Sequence, residues 1–365
     1  MHTNQSLLPY IPPDTRYRMH FRNAAIRRMY GEKAGKYIAR FVDVGSHTVE
    51  VIATSTAFNI MAMNGKAVSS IVNMKRMNDI GNVNEFLAIV NRKLPYEGLY
   101  IGCVETIKQR RRRILNKYPK AISQLYYLLD FMLKRVFPKW GPTRKIYRLL
   151  TRGNNRTMSL TETLGRLRVC GFRIEEYAEV GNLTYFVVRK IARPVQETDE
   201  RYGMVIRLRR VGRGGELFNV YKFRTMHPYA EFLQDFLYTM YDLRNGDKIT
   251  DDFRITSWGR ILRKFWLDEQ PMWINWLRGD VKLVGVRPLS HQKLSLYPEE
   301  YRKRRVHYTP GLIPPFYADL PESLDELITS EVKYLDSYDR NPWFTDIRYF
   351  WKSVYNIAVR GARSG

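Results

Sequence analysis

Short apolar runs and one helical repeat of apolar positions organise the first part of the chain. Residues 41–44 and 49–53 are short, mostly apolar runs with one acid each, and residues 99–104 are a continuous apolar run; all three predict short buried strands. Between them, residues 84–94 place apolar side chains at intervals of three and four, the spacing of a helix that buries one face. This part of the sequence therefore predicts a mixed α/β domain.

A second helix and two more strands follow near residue 160. Ser159 and Glu162 stand in capping-box spacing at the start of a helical pattern, and Gly171 stands where that helix would end. Residues 172–175 and 184–189 read as strands. The order of these pieces weakly resembles the second half of a Rossmann-type methyltransferase. Because Ser46 and His47 replace the glycines of that family's cofactor loop, the resemblance implies a degenerate Rossmann-like scaffold.

Residues 108–156 form a basic amphipathic insertion in this domain. A helical reading of residues 121–150 gives one apolar stripe flanked by lysines, arginines and aromatic residues, the stripe being Leu125, Leu128, Leu129, Met132 and Leu133. Two interpretations remain open. The segment is either an anchor at an anionic membrane surface or a solvated helical hairpin packed on the domain.

A β-hairpin is predicted after residue 203. Residues 205–209 and 217–225 alternate as strands around a glycine-rich turn. On the second strand, Lys222 and Arg224 share one face, which makes them candidates to clamp a diphosphate, and Tyr221 and Phe223 are expected on an opposite, apolar face. A solvated strand is the alternative.

Two further helices and a strand are predicted between residues 251 and 288. Thr256 or Ser257 can cap a helix with a buried stripe of Ile261, Leu262 and Phe265. Asp268 is an acceptable N-cap for the next helix, which places Asp268 and Glu269 at a helix N-terminus where carboxylates stay ionised. Residues 281–286 then read as a buried strand.

Composition narrows the class of partner. The 365 residues are 44% hydrophobic and 27% charged, as in globular proteins, and 61 lysines and arginines against 36 acids give a net charge of +25. Such a field attracts anions. No nucleic-acid docking motif is recognisable, so we expect no nucleic-acid partner. Only Cys103 and Cys170 are present, which excludes a disulfide framework and fits a reducing cytosol.

Export and membrane crossing are not expected. No segment reaches the roughly 18 apolar residues of a spanning helix, and the first residues lack the apolar core of a signal peptide. We expect a basic N-terminal arm over residues 1–36, a degenerate Rossmann-like domain over 37–192, and a small α+β domain with C-terminal helices over 193–365. The last two helices, residues 323–338 and 343–359, are expected to pack on that domain, the second through an apolar lining of Phe344, Ile347, Phe350, Trp351, Val354 and Ile357.

Five motifs of the second half occur in one order within about a hundred residues, namely KFRTM, FRIT, GRILRKFWLDEQP, LRGDVKLVGVRP and HYTPGL. Together, over roughly residues 195–320, they closely resemble the bacterial sugar transferase family, the monotopic phosphoglycosyl transferases. The resemblance implies transfer of a sugar phosphate from a nucleotide diphosphate sugar, such as a UDP-sugar, to undecaprenyl phosphate. Such a step initiates exopolysaccharide, capsule or O-antigen synthesis at the cytoplasmic face of the bacterial inner membrane, and the enzyme would be peripheral there.

The resemblance also implies roles for individual residues. Asp268 would be the nucleophile that forms a phospho-aspartate, with Glu269 beside it, and the two would hold Mg²⁺. Phosphoryl transfer depends on positioning and charge, so cations and the proline-glycine turn are candidates for substrate binding: Lys222, Arg224, Arg254, Arg263, Arg287, Pro310 and Gly311.

The sequence departs from the family at three places. The usual apolar re-entrant helix before the hairpin is replaced by a short charged stretch at residues 181–200, Trp266 replaces a small residue and could narrow the site, and Ile313-Pro314 alters a turn near the nucleotide. Other polysaccharide-assembly proteins are further candidate partners. Two alternatives stay open: a catalytically weak scaffold of a polysaccharide assembly complex, and a methyltransferase acting through the N-terminal domain.

Overall fold

The structure is a computed structural model that describes residues 22, 24, 26–28, 30–63, 68–139, 141–151, 154–195, 203–241 and 252–360. The chain divides into two compact units. Unit 1 comprises residues 1–202 and 227–247, and unit 2 comprises residues 203–226 and 248–365. The sequence had placed residues 193–365 in one domain, whereas by contact the segment 227–247 groups with unit 1.

Unit 1 is built on a five-stranded sheet in the order β1-β2-β3-β5-β4. The first three strands are parallel, and β5 runs antiparallel to both β3 and β4. The strands are β1 (Val49–Ile52), β2 (Ser70–Arg76), β3 (Leu99–Val104), β4 (Phe172–Val180) and β5 (Leu183–Lys190). The mixed α/β class predicted for this part of the chain is confirmed.

Helices connect and cover these strands. They are α1 (Glu32–Ala39), α2 (Ala57–Met61), α3 (Val83–Lys93), α4 (Ile107–Leu115), α5 (Lys120–Phe131), α6 (Gly141–Thr151), α7 (Leu160–Val169) and α8 (Gln234–Tyr241). The predicted cap at the start of α7 is confirmed, since Ser159 accepts a hydrogen bond from the Glu162 backbone N–H. Gly171 ends the helix region with a φ of 84°, a conformation that favours glycine.

One strand prediction for unit 1 is wrong. Residues 41–44 form turns, because the Asp43 carboxylate accepts the Gly45 N–H at 2.9 Å and bends the chain, although Val42 and Val44 are still buried. Most of the predicted arm lies outside the described residues. Residues 32–36 belong to α1, which buries Ala34 in the core.

Unit 2 packs a hairpin and a short parallel pair of strands among helices. Its strands are β6 (Val205–Val211), β7 (Leu217–Phe223), β8 (Lys282–Val284) and β9 (Gly311–Ile313), with β6 antiparallel to β7 and β8 parallel to β9. Its helices are α9 (Ser257–Lys264), α10 (Trp273–Leu277), α11 (His291–Leu294), α12 (Glu299–Arg305), α13 (Phe316–Asp319), α14 (Leu324–Arg340) and α15 (Pro342–Ala358). The predicted hairpin, strand and C-terminal helices are present.

The buried faces of two helices differ from the prediction. Of the stripe predicted for α9, only Leu262 is buried, while Ile261 and Phe265 are exposed, because the N-terminal turn packs on the Thr225 backbone through Gly259. In α15 the residues buried against unit 2 are mostly polar, whereas the predicted apolar lining residues Phe344, Ile347 and Trp351 are exposed. Among the described residues, no helix has both the length and the apolar character needed to cross a membrane.

Candidate active site

The hairpin directs Lys222 toward the core of unit 2. Val220 is fully buried, and Lys222, two residues later on the same face of β7, lies at the edge of that apolar surface. The expectation that Tyr221 lies on the apolar face is wrong. Tyr221 packs outside, where the guanidinium groups of Arg207 and Arg278 lie 5.9 and 5.3 Å from its ring centroid. The even-numbered residues of the strand face the core, and the lysine is one of them.

A short 3₁₀-helix, Leu267–Met272, presents the two candidate acids. Trp266 precedes it with a φ of 56°, and both Asp268 and Glu269 lie in its first turn with exposed fractions of only 8% and 5%. Asp268 is not the N-cap that the sequence predicted, because the helix already begins at Leu267 and Trp266 occupies the cap position. The left-handed backbone of Trp266 reverses the chain after α9 and brings the acids inward.

The segment that carries the acids is fastened to the hairpin by Asn275. This fully buried amide in α10 accepts the Tyr221 backbone N–H at 3.0 Å and donates to the Asn219 carbonyl at 2.7 Å. Both hydrogen bonds go to β7, the strand of Lys222. Asn275 therefore fixes the separation between the cation and the acids, a role that sequence analysis missed.

The Glu269 carboxylate is held at both oxygens. The ammonium group of Lys222 forms a salt bridge with Oε1, and the Trp266 indole N–H donates to Oε2 at 2.9 Å. The Trp266 ring also packs edge-on against Tyr317, with a centroid distance of 5.9 Å. Burial lowers the pKa of Lys222, and the nearby Arg287 lowers it further, whereas Glu269 acts in the opposite direction. Two donors thus fix the orientation of this carboxylate.

Asp268 lies in a different electrostatic environment. Burial raises the pKa of Asp268 above its ordinary value, and the negative charge of Glu269 raises it further, while Lys222 and Arg263 oppose both effects. The Arg263 side chain is positioned by its hydrogen bond to Thr225 Oγ1 at 3.1 Å. The salt bridge of Lys222 goes to Glu269, so the lysine does not neutralise the Asp268 carboxylate directly.

A narrow cavity of about 40 Å³ opens beside Glu269, and three cations contribute to its lining: Arg210, Lys222 and Arg287. Glu269 is the one acid among the lining residues. Burial lowers the pKa of Arg210, and repulsion from Arg287 lowers it further. The cavity has room for only a few atoms, so its positive lining suits a phosphate group rather than an enclosed nucleotide.

Arg210 was missed at the sequence level, although the hairpin register contained the signal. Residue 210 pairs with Phe218 and therefore shares the face of Val220 and Lys222. A strand prediction without its register could not show that, of the three arginines of β6, Arg207 and Arg209 face outward while Arg210 faces the core.

The predicted proline-glycine turn forms one wall of the cavity. Gly311 lines it, and a Cβ atom at this residue would lie 2.1 Å from the Gly285 nitrogen. Only glycine permits this close approach of the two backbone segments that follow β8 and begin β9. The Pro310 carbonyl accepts the Lys282 N–H at 2.8 Å, which joins the same two segments.

Of the remaining predicted cations, Arg254 and Arg224 make contacts with residues outside the cavity lining, and Arg287 lines the cavity. Arg254 forms a double hydrogen bond with Asp252, with donor–acceptor distances of 2.7 to 3.0 Å. Arg224 donates to the Gly203 carbonyl at 3.0 Å. Arg287 lines the cavity, and its guanidinium lies 5.4 Å from the ring centroid of Phe316. The structure therefore groups Lys222, Arg287 and Gly311 at one cavity and Arg263 near Asp268.

The acid pair offers two carboxylate groups to a magnesium ion. No cluster of three metal-ligating side chains occurs among the residues that the structure describes. Magnesium in phosphoryl-transfer enzymes commonly takes one or two carboxylates and completes its shell with water and substrate phosphate. The adjacent carboxylates of Asp268 and Glu269 fit that pattern, with Glu269 already shared between two donors.

Comparison with known proteins gives a consistent picture. The family model described as bacterial sugar transferase matches residues 180–360. The uncharacterized sugar transferase EpsL of Bacillus subtilis is 38% identical over 154 residues, which cover 41% of this chain and 67% of EpsL. This match includes two thirds of a whole protein.

Two further relatives match over shorter stretches. The galactosyl transferase CpsE of Streptococcus agalactiae is 34% identical over 134 residues, covering 35% of this chain and 29% of CpsE. The undecaprenyl-phosphate galactose phosphotransferase of Salmonella typhimurium is 40% identical over 96 residues, covering 25% of this chain and 20% of that protein. The chain therefore spans less than a third of the length of these two relatives.

Proposed function

The chain belongs to the bacterial sugar transferase family, and we propose that it transfers a sugar 1-phosphate from a nucleotide diphosphate sugar to undecaprenyl phosphate. The names of relatives support this choice, because one is an undecaprenyl-phosphate galactose phosphotransferase and another a UDP-galactose-lipid carrier transferase. A UDP-sugar is accordingly the donor that we propose. The product would be a lipid-linked diphosphate sugar.

The observation that carries the proposal is the charge arrangement around the acid pair. Glu269 lines a cavity together with Arg210, Lys222 and Arg287, and the adjacent residue Asp268 is buried in the same helical turn. A diphosphate brings negative charge that these cations can neutralise, and charge stabilisation with positioning is what phosphoryl transfer requires. Asp268, the neighbour of Glu269 in the chain, would be the nucleophile that attacks a phosphate bound there.

The reaction that we propose has two displacements. In the first, an Asp268 carboxylate oxygen attacks the phosphorus that bears the sugar, and the bond from that phosphorus to the nucleotide breaks. The nucleoside monophosphate leaves with the bonding electrons, and a sugar-phosphoryl ester of Asp268 remains. In the second, a phosphate oxygen of undecaprenyl phosphate attacks the same phosphorus and expels the Asp268 carboxylate. Each step exchanges one phosphorus–oxygen bond for another.

The surrounding residues supply orientation and charge. Lys222 and Arg287 would neutralise the diphosphate, and Arg263 would lower the energy of charge that develops near Asp268. Asp268 and Glu269 would hold Mg²⁺, which supplies neutralisation of the leaving phosphate when it is bound. Glu269, oriented by Lys222 and Trp266, would position the reacting groups.

The acceptor places the reaction at a membrane. We propose that the protein acts peripherally at the cytoplasmic face of the bacterial inner membrane, where it would initiate exopolysaccharide, capsule or O-antigen synthesis. Relatives named for exopolysaccharide production support this setting. Other polysaccharide-assembly proteins would then be partners of this protein at the membrane.

Turnover of the Asp268→Asn variant tests the proposal. Release of nucleoside monophosphate is measured with a panel of UDP-sugars and undecaprenyl phosphate, first with Mg²⁺ and then with a chelator. We expect wild type to turn over one sugar and to stop with chelator, and Asp268→Asn to lose activity about a thousandfold or more. Asp336→Asn, at an acid whose side chain pairs with Arg304 in the C-terminal helices, is the matched control and should retain activity.

Two outcomes would contradict the mechanism. Full activity of Asp268→Asn would exclude this residue as the nucleophile. Failure of wild type to release any nucleoside monophosphate, with the fold intact, would favour the scaffold alternative instead. A radiolabelled sugar phosphate that remains bound to denatured wild type and is absent from Asp268→Asn would support the covalent step.

A further inference from the structure

Helix α5 of unit 1 is oriented with its polar residues inward and its apolar residues outward. Its buried residues are Ser123 and Asp130, whereas Leu125 and Leu129 are each 60% exposed. Further exposed apolar side chains lie directly after α5 and in α6. Together, the exposed apolar side chains of this segment are Ile122, Leu125, Tyr126, Leu128, Leu129, Met132, Ile146, Leu149 and Leu150, which we call the apolar face.

A buried ion pair fixes this orientation. Arg110 in α4 donates to both carboxylate oxygens of Asp130, at 2.6 and 2.8 Å, and is only 2% exposed. The Arg110 guanidinium also donates to Asn155 Oδ1 at 2.7 Å. Rotation of α5 to bury its leucines would pull Asp130 away from Arg110 and break this buried, doubly hydrogen-bonded ion pair, leaving the guanidinium with Glu105 alone as its counterion, at 3.3 Å. The apolar face is therefore held toward the surroundings by the fold.

The charge around the apolar face has one sign. Residues 106–156 contain fifteen lysines and arginines and a single acid, the buried Asp130. Among the described residues, Arg111, Lys117, Lys120 and Lys145 are exposed cations of this segment. A second copy of the chain would bring the same positive charge to such a contact, so self-association through this face is disfavoured.

We propose that the apolar face docks on an anionic membrane surface. Leucines and isoleucines that enter the boundary between headgroups and acyl chains, with cations beside anionic headgroups, form the arrangement by which interfacial helices bind. Tyr118 and Tyr126, whose ring centroids are 5.6 Å apart, are both exposed and suit the headgroup level, where aromatic side chains concentrate.

This inference goes beyond the proposed function. It concerns unit 1, and most of the residues that carry it precede the stretch matched by the family model. Its test measures lipid binding and not turnover, so an inactive protein could still confirm it and an active one could still refute it.

Vesicle cosedimentation of the full chain tests the docking surface. Vesicles of phosphatidylcholine alone are compared with vesicles that also contain phosphatidylglycerol. We expect wild type to bind the anionic vesicles more tightly, with binding that weakens as salt rises. The affinity of the Leu125→Glu/Leu129→Glu variant for the anionic vesicles should be lower by about tenfold or more, because two apolar side chains are lost and two negative charges face the lipid.

Matched variants separate lipid contact from misfolding. Leu296→Glu changes a leucine of similar exposure, 58%, in unit 2 and should bind like wild type. Lys117→Glu/Lys120→Glu should abolish the preference for phosphatidylglycerol while keeping the circular dichroism spectrum.

Three results would overturn the proposal. Equal binding by wild type and Leu125→Glu/Leu129→Glu would exclude this face. So would failure of folded wild type to bind either vesicle. Light scattering that shows a wild-type dimer, dissociated by the same leucine variant, would assign the face to a second copy of the chain.

Discussion

Replacement of Trp266 by phenylalanine isolates one hydrogen bond of the candidate active site. The ring that packs against Tyr317 is largely retained, but the indole donor to Glu269 Oε2, 2.9 Å away, is lost. Hydrogen bonds to charged groups contribute about 1.5–3 kcal/mol, and Glu269 is nearly fully buried. If its orientation matters for transfer, kcat/KM should fall about 10- to 100-fold.

The assay is release of nucleoside monophosphate, measured below the unfolding transition of every variant. Trp273→Phe is the matched control, because it removes an indole hydrogen bond of 3.2 Å to Gln270 on the exposed side of the same segment. Its rate should stay within about twofold of wild type. A Trp266→Phe variant as active as Trp273→Phe would refute the view that the indole positions Glu269.

Three further predictions concern stability. Asp268→Asn should raise the unfolding temperature at neutral pH, because burial raises the pKa of Asp268 and ionisation of this carboxyl therefore favours the unfolded chain. The gain in unfolding temperature should shrink as the pH falls through that raised pKa and vanish below the ordinary pKa of aspartate. Calorimetry across this pH range measures it. Lys222→Met should cost about 3 kcal/mol in urea unfolding, because Glu269 stays buried without its counterion, and adding Glu269→Gln should restore most of it. Gly311→Ala should lower the unfolding midpoint markedly, because its Cβ would collide with the backbone of Gly285.

Each stability prediction has a contradicting result. An Asp268→Asn variant less stable than wild type at neutral pH would show that the carboxylate is stabilised in the folded state. Lys222→Met with unchanged urea unfolding would mean that water solvates Glu269. A Gly311→Ala variant with the wild-type midpoint would mean that the two backbone segments can separate without cost.

Local signals in the sequence predicted elements well. Alternation predicted the β6–β7 hairpin, and side-chain caps at Ser159 and Thr256 marked the starts of two helices where the structure has them. These features depend on neighbours in sequence. β2 was missed, because buried Asn73 interrupts its apolar run; that amide instead bonds both the N–H and the carbonyl of Thr54.

Features that depend on distant contacts were not predictable from the same signals. Which face of β7 meets the core is decided by packing in unit 2, so the direction of Lys222 could not be read from alternation alone. The outward face of α5 depends on the pairing of Asp130 with Arg110, twenty residues earlier. Of the candidate site, the residue types and their order were predicted. The hydrogen bonds by which Trp266 and Asn275 position it, and the inward direction of Arg210, were not.

The return of residues 227–247 to unit 1 has a consequence for dissecting the protein. In that segment Leu233 and Leu237 are fully buried, and Gly165 of α7 leaves room for the Tyr229 backbone, where a Cβ would lie 2.2 Å from its oxygen. A truncated chain beginning at Gly203 would retain the segment without the helix that covers it. Such a fragment would expose apolar surface that is otherwise buried, and we expect it to aggregate. Isolating unit 2 therefore requires removal of residues 1–202 and of residues 227–247, with a linker that joins residue 226 to residue 248.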